Sequence, residues 1–344
     1  MRFIEKTIVL ILILTVFAQS VAGDNVPQVT AQFQLTNSTA YEYDAAWSPD
    51  DSAIVYIMDG LYGYELWTMD MATLNPKMLL QSTALLGQPD WGENGILYIS
   101  DYSFKRDRHP NIWIYDLNEK KSWQLSFNKT DLQNPSWNND STKILYLRRV
   151  NYGYEIWTMN PDTYNNTLLT FFQTIVESPA WSPDNKKIAY SSDGDIWVMD
   201  EDASNIVQLT DDEYAQTDPT WSPDGNWIAY ASDEQGDFDI YVMRPDGTDK
   251  SILINESRDQ TDPDWSHGGN KLLYTSYQDL NKDIWAAVLY MEPAPTPTPV
   301  QLQTQIVVDE ETKENISRLT IIGAVLAVLI MLFVLLKIIK GMKR

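Results

Sequence analysis

The sequence predicts an all-β chain folded as a six-bladed β-propeller and closed by its own N-terminal strand. Three observations predict it. A tryptophan recurs at Trp47, Trp91, Trp137, Trp181, Trp221 and Trp265, spaced 44, 46, 44, 40 and 44 residues apart. A leucine stands twelve residues before each of them, at Leu35, Leu79, Leu125, Leu169, Leu209 and Leu253. The first leucine precedes the first tryptophan, while the last unit stops after "DIWAAVLYM" without a leucine segment of its own. Units of 40–46 residues with several short strands are the mark of propeller blades. The missing last strand and the spare first one predict closure of the ring, which hides the edges of an open sheet.

Taken in chain order, residues 1–22 read as a secretory signal peptide. Arg2 and Lys6 precede the apolar run "IVLILILTVF", and "AQSVA" supplies small residues before cleavage after Ala22. Residues 23–30 are a short lead, and 31–36 are the predicted closing strand. The propeller then runs to 291. Each anchor tryptophan is followed by a strand such as "IVYI" (54–57), "ILYI" (96–99) or "IAY" (188–190, 228–230). A second aromatic column follows at Trp67, Trp113, Trp157, Trp197, Tyr241 and Trp285, in runs such as "DIWVMD". These segments are aromatic and β-branched, separated by Asp, Asn, Gly and Pro, which is strand and turn chemistry. Eleven of the thirteen tryptophans fall in the two columns, so they are read as core wedges rather than ligand platforms. The near-identical octapeptides "YGYELWTM" (62–69) and "YGYEIWTM" (152–159) occupy equivalent positions of blades 1 and 3.

Beyond the propeller, the Pro/Thr-rich, acidic segment 292–318 reads as an extended stalk. Residues 319–336 form 18 uncharged residues, long enough to span hydrocarbon, and the predicted transmembrane helix covers 319–339. The basic tail 340–344, with Lys337 before it, predicts a cytoplasmic C-terminus. The expected topology is therefore single-pass in the cell membrane, with the propeller outside.

Composition narrows the chemistry. The 344-residue chain has no cysteine, which excludes disulfides, thiolate metal sites and Cys nucleophiles. It has two histidines, His109 and His267, too few for a multi-His metal centre. Its net charge is −23, and −28 over 23–336, which argues against nucleic acid as a partner. No cofactor and no catalytic constellation is predicted.

The repeats "PAWSPDNKKIAYSSDGDIWVMDEDASNIVQLT" (179–210) and "PTWSPDGNWIAYASDEQGDFDIYVMRPDGT" (219–248) resemble the TolB-type β-propeller repeat, a relative of WD-repeat propellers. The resemblance covers about 260 residues and implies a six-bladed propeller. It departs from TolB in two ways. TolB carries a separate α/β domain before its propeller, whereas about ten residues separate the expected cleavage site from the first strand here. TolB is a soluble periplasmic protein, whereas a membrane anchor is expected here. The sequence also lacks the G-x-S-x-G elbow of propeller-bearing peptidases.

Candidate binding residues fall in two groups. Loops between second and third strands vary in length and share a face with the links between blades. They carry Tyr62 and Tyr64 in blade 1, Tyr152 and Tyr154 in blade 3, and the basic cluster "FKRDRHP" (104–110) with Arg106 and Arg108 in blade 2. Loops on a rigid scaffold commonly carry binding. The second group is a polar column three residues before each anchor tryptophan: Asp44, Gln88, Asn134, Ser178, Asp218 and Asp262. It is expected just ahead of the innermost strand, near the channel mouth. Two readings stay open for it: local capping of backbone N–H groups, or a ring that holds a cation or a peptide end. The acidic stretch "DEQGDFD" (233–239) lacks the calcium-loop pattern and reads as a solvated turn. Sequons at Asn37, Asn128, Asn139, Asn165, Asn255 and Asn315 suit an exported glycoprotein. The expected function is a cell-surface binding module for protein, peptide or glycan. The alternatives are a structural envelope component and, less favoured, a hydrolase or lyase working in the channel.

Overall fold

The structure, a computed structural model, describes residues 26–102, 108–170, 175–278 and 281–291. The predicted signal peptide, stalk, transmembrane helix and tail lie outside the described residues, as do Arg106 and Asn315. Among the described residues there are strands and no helix, and hence none long and apolar enough to cross a membrane.

The strands form six four-stranded antiparallel sheets, each a blade. The innermost strands are Tyr41–Trp47, Leu86–Gly92, Leu132–Trp137, Val176–Trp181, Gln216–Trp221 and Gln260–Trp265. Their anchor tryptophan pairs with an Ile or Leu at the head of the second strand in every blade, from Trp47↔Ile54 to Trp265↔Leu272. Blade 2 keeps this register although its hairpin is two residues shorter (Trp91↔Ile96). Shortening by two preserves which face each side chain takes.

The ring closes as the sequence predicts. The N-terminal strand Gln28–Gln34 pairs antiparallel with the last strand, Asn281–Tyr290, from Gln28↔Tyr290 to Gln34↔Trp285. It begins earlier than expected, drawing Gln28, Val29 and Thr30 from the segment read as a lead. The partner's length explains this, because Asn281–Tyr290 offers ten residues of edge. Past the strand's end, Leu35 N–H donates to the Ile284 carbonyl, and Thr36 Oγ1 accepts from Ile284 N–H.

The apolar core lies between blades. Six clusters each span two neighbours. One joins Trp47, Ile54 and Tyr56 of blade 1 to Leu273, Ile284 and Ala286 of blade 6. Another joins Leu97, Ile112 and Leu125 of blade 2 to Trp137, Ile144 and Tyr146 of blade 3. The wedge reading holds for the first tryptophan column, which is buried except at Trp91. Except at Tyr241, which is buried, the second column is only half-buried. Its register partners, such as Tyr56, Tyr98, Tyr190 and Tyr274, are the fully buried aromatics.

Candidate binding face and central channel

The polar column lies inside the innermost strands, not ahead of them. Asp44, Gln88, Asn134, Ser178, Asp218 and Asp262 all adopt left-handed backbone, with φ between 47° and 52°. In each strand the pairing register shifts at this point, for example between Tyr43 and Ala46. Each is thus a β-bulge residue. Asp, Asn and Ser are read from sequence as caps because the same short polar side chains that cap also tolerate left-handed backbone.

The bulges line a central cavity of about 430 Å³. Its wall starts at this column and continues through the anchor tryptophans to the turns that follow them, including Pro49, Glu93, Pro183 and His267. The cavity therefore runs toward the turn face. The loops between second and third strands lie at the opposite end of the blades. The candidate residues consequently divide between two sites on opposite sides of the propeller.

Side chains of the column bridge neighbouring blades. Asp44 Oδ2 accepts the Gln88 N–H at 2.9 Å, and Gln88 Oε1 accepts the Asn134 N–H at 2.8 Å. Ser178 Oγ donates to Asp218 Oδ1 at 2.6 Å. A second ring, two residues further along, was not singled out from sequence. In it Asp90 Oδ2 accepts the Trp137 N–H at 2.6 Å and Asp264 Oδ2 accepts the Trp47 N–H at 2.9 Å. The signal for it is a polar residue directly before the tryptophan, visible in "QPDW" and "DPDW".

Three carboxylates, Asp218, Asp262 and Asp44, stand on consecutive blades 5, 6 and 1. Burial pushes Asp44 up to about 7, with the Asp262 charge adding to it and the Gln88 N–H bond opposing. Burial and Asp262 likewise push Asp218 up to about 7, against its bond from Ser178. Burial raises Asp264 to about 7 and Asp90 to about 6, each against a bond from a tryptophan N–H. These groups touch channel solvent yet are walled by protein, so desolvation dominates. Among the described residues no three His, Asp or Glu side chains are gathered to hold a metal.

The loop face of blades 1–3 exposes several large apolar side chains. Leu61 is 90% exposed, Tyr62 75%, Phe127 78% and Tyr152 79%. Tyr102 is also exposed there. Tyr64 and Tyr154 do not join them. They are half-buried and pack against inter-blade clusters, because they lie in the third strands, Gly63–Asp70 and Gly153–Met159, beyond the turn tips. Arg108 is exposed beside His109. Asp131 meets His109 Nδ1 at 2.8 Å and Arg149 Nη1 at 3.0 Å. Burial would raise Asp131, but the His109 and Arg149 bonds outweigh it and hold the carboxyl below its ordinary value. Phe127 lies on a link between blades, outside the loops searched from sequence, and was missed for that reason. The sequon residues Asn37, Asn139, Asn165 and Asn255 are exposed, and Asn128 is half-buried.

Residues 134–294 match the family described as TolB beta propeller domain. Among solved structures, TolB from Acinetobacter baumannii is 21% identical with a TM-score of 0.59, covering 71% of this chain and 65% of that one. The chain thus spans just under two thirds of that TolB. A gluconolactonase from Xanthomonas campestris, XC5397, is 13% identical with a TM-score of 0.60, covering 77% and 94%. An oligogalacturonate lyase in complex with manganese is 15% identical with a TM-score of 0.52, covering 76% and 95%. At these identities the likeness establishes the fold alone. No curated protein matches the sequence.

Proposed function

We propose that this TolB-like propeller is a binding module held at the cell surface by residues 319–339, and that its loop face over blades 1–3 captures a protein or peptide. The observation that carries the reading is the shared exposure of Leu61, Tyr62, Phe127 and Tyr152 on one face of an otherwise acidic molecule. Exposed aromatic groups of this kind supply contact area at small entropic cost, and patches of them mark interaction sites. Arg108 and Arg149 beside the patch offer donors for a partner's carboxylates or carbonyls. Crosslinking on intact native cells tests it. A Tyr62→Ala, Phe127→Ala, Tyr152→Ala triple variant is expected to lose its crosslinked partner while staying on the surface. Undiminished capture rejects this face, and loss of crosslinks only after glycosidase treatment makes the partner a glycan.

A second reading draws on the channel. Asp44, Asp218 and Asp264, raised to about 7, hold protons near neutrality at the central cavity, as acid–base chemistry on a sugar lactone or uronate would require. Their side chains are engaged in inter-blade bonds, which favours the binding reading. Turnover of such a substrate, abolished by Asp218→Asn, would reverse the order.

A further inference from the structure

The loop face differs in charge from one side of the ring to the other. Around the exposed apolar side chains of blades 1–3 stand Arg108, Lys129 and Arg149, all exposed. The acids that flank them are engaged within the chain. Asp101 Oδ1 accepts the Leu85 N–H at 2.8 Å, and Asp131 is held between His109 and Arg149. Across the ring, the loops of blades 4 and 5 and the link between them, 193–194, 209–215 and 233–238, hold seven acids and no Lys, Arg or His. Asp193, Asp211, Asp212, Glu213 and Glu234 are exposed. Among the described residues only Asp212 of the seven is ion-paired, with Lys250 at 3.9 Å. The stretch 233–239, read from sequence as a solvated turn, departs from that at its last residue, Asp239, which is buried. Tyr214 is 37% exposed amid these acids, and Phe238 is half-buried beside them.

The two halves are opposed, because the ring order of the blades sets blade 2 across from blade 5. Both ends of the propeller chain lie at the other face. There Gln28 pairs with Tyr290, and Leu289 N–H donates to the carbonyl of Asn270 in the blade 6 turn. Neither end obstructs the loops.

We propose that the partner of the loop face is a second copy of this chain, docked face to face about a two-fold axis lying in the plane of that face. The inference rests on the loop-face reading above and names its partner. Such an axis, set between the two halves, brings the aromatic and basic blades 1–3 of each copy onto the acidic blades 4 and 5 of the other. One contact is thus made twice, as an isologous interface requires. Arg108, Lys129 and Arg149 meet carboxylates, the Tyr62 and Tyr152 hydroxyls gain acceptors, and Tyr214 gives the apolar side chains a counterpart. Aromatic and Arg side chains are the ones enriched at interfaces. An axis turned through a right angle within the face sets acids on acids, and like charges facing one another are costly, so charge selects one arrangement. The net charge of −23 does not prevent it, because at physiological ionic strength charges beyond about 8 Å are screened and the facing patches decide.

The test uses the full chain in detergent micelles, with self-association followed by sedimentation. The wild type is expected to dimerise. An Arg108→Glu, Lys129→Glu, Arg149→Glu chain and an Asp211→Lys, Glu213→Lys, Glu234→Lys chain are each expected to self-associate more weakly by about tenfold or more. Mixed in equal amounts, they are expected to pair as tightly as the wild type, since each reversed half then meets its complement. A monomeric wild type, an association that the reversals leave unchanged, or a mixture that fails to pair overturns the second copy as partner. Should a reversed chain fail to fold, Arg108→Gln, Lys129→Gln, Arg149→Gln decides: weakened self-association supports the interface and unchanged association refutes it. The loop-face reading is judged apart from this, by the native crosslinks of the Tyr62→Ala, Phe127→Ala, Tyr152→Ala variant. Crosslinks to a different protein that are lost in that variant keep the loop-face reading and refute self-docking.

Discussion

Asp264 and Trp47 show how one pair holds a seam. The Trp47 N–H enters the Asp264 carboxylate at 2.9 Å, and its indole Nε1–H donates to the Asp264 carbonyl at 3.2 Å. The two residues sit on blades 6 and 1, which the closing strand also joins. Trp47→Ala is expected to cost about 3–5 kcal/mol in denaturant unfolding, through lost transfer and a cavity beside Ile54 and Tyr56. Asp264→Ala leaves a buried N–H without an acceptor and is expected to cost about 1–3 kcal/mol. Asp264→Asn keeps the acceptor and sheds the charge, so at pH 8 its melting temperature should equal or exceed the wild type's. The tryptophan was legible in the sequence from its period. The aspartate was not, because a polar residue before a tryptophan has no meaning until the ring brings another blade's backbone to it.

Among the elements, the hairpin of blade 2 is tightly constrained by its neighbour. Its inner strand ends at Gly92, where an added Cβ would run into the Trp137 ring and meet Ser141 Oγ at 2.7 Å. The bare backbone lets blade 3's anchor approach, and Trp137 Nε1–H then donates to the Gly95 carbonyl at 3.1 Å. Gly92→Ala should therefore destabilise by about 1–3 kcal/mol through overpacking, read as a lowered denaturation midpoint with unchanged slope. The "WGENGI" deviation was visible in sequence, and alternation by two predicted that the strands survive it. Why the residue is glycine depends on a side chain 45 positions later, which no local pattern reports. The inner-strand bulges are similar. Their positions formed a legible column, but a left-handed residue inside a strand and a cap ahead of one have the same composition.

At the scale of the whole molecule, stability should depend on pH in an unusual direction. Asp44, Asp218 and Asp264 are raised to about 7, and Asp90, Asp239 and Asp283 to about 6. In the unfolded chain these carboxyls titrate near their ordinary value of about 4. Between those values the native state binds more protons, so stability falls as pH rises through roughly 4 to 7 and levels off above. Turn carboxylates such as Asp50, lowered to about 2 by the Ser52 and Ser48 hydroxyls, act oppositely below that window, but solvent screens them. The denaturation midpoint is expected to be higher at pH 5 than at pH 8; the reverse order would show that the channel acids are ionised in the native state. Closure is the second global property. Deleting residues 26–36 bares the edge of Asn281–Tyr290 and strips Phe33 and Leu35 from the seam cluster. The melting temperature is expected to fall by more than about 10 °C, with loss of a single cooperative transition.

By itself, the sequence determined the blade count, the strand order within each blade, the register of the anchor tryptophans and the closure by the first strand. Each is written in a repeat, and six repetitions of a period average out local ambiguity. Only the tertiary structure decided where the polar column sits, that the channel and the aromatic loops occupy opposite faces, that Tyr64 and Tyr154 are packed while Phe127 is exposed, and that Asp239 is buried. Those facts depend on contacts between blades and between loops far apart in sequence, where a side chain's role is set by what the closed ring places next to it.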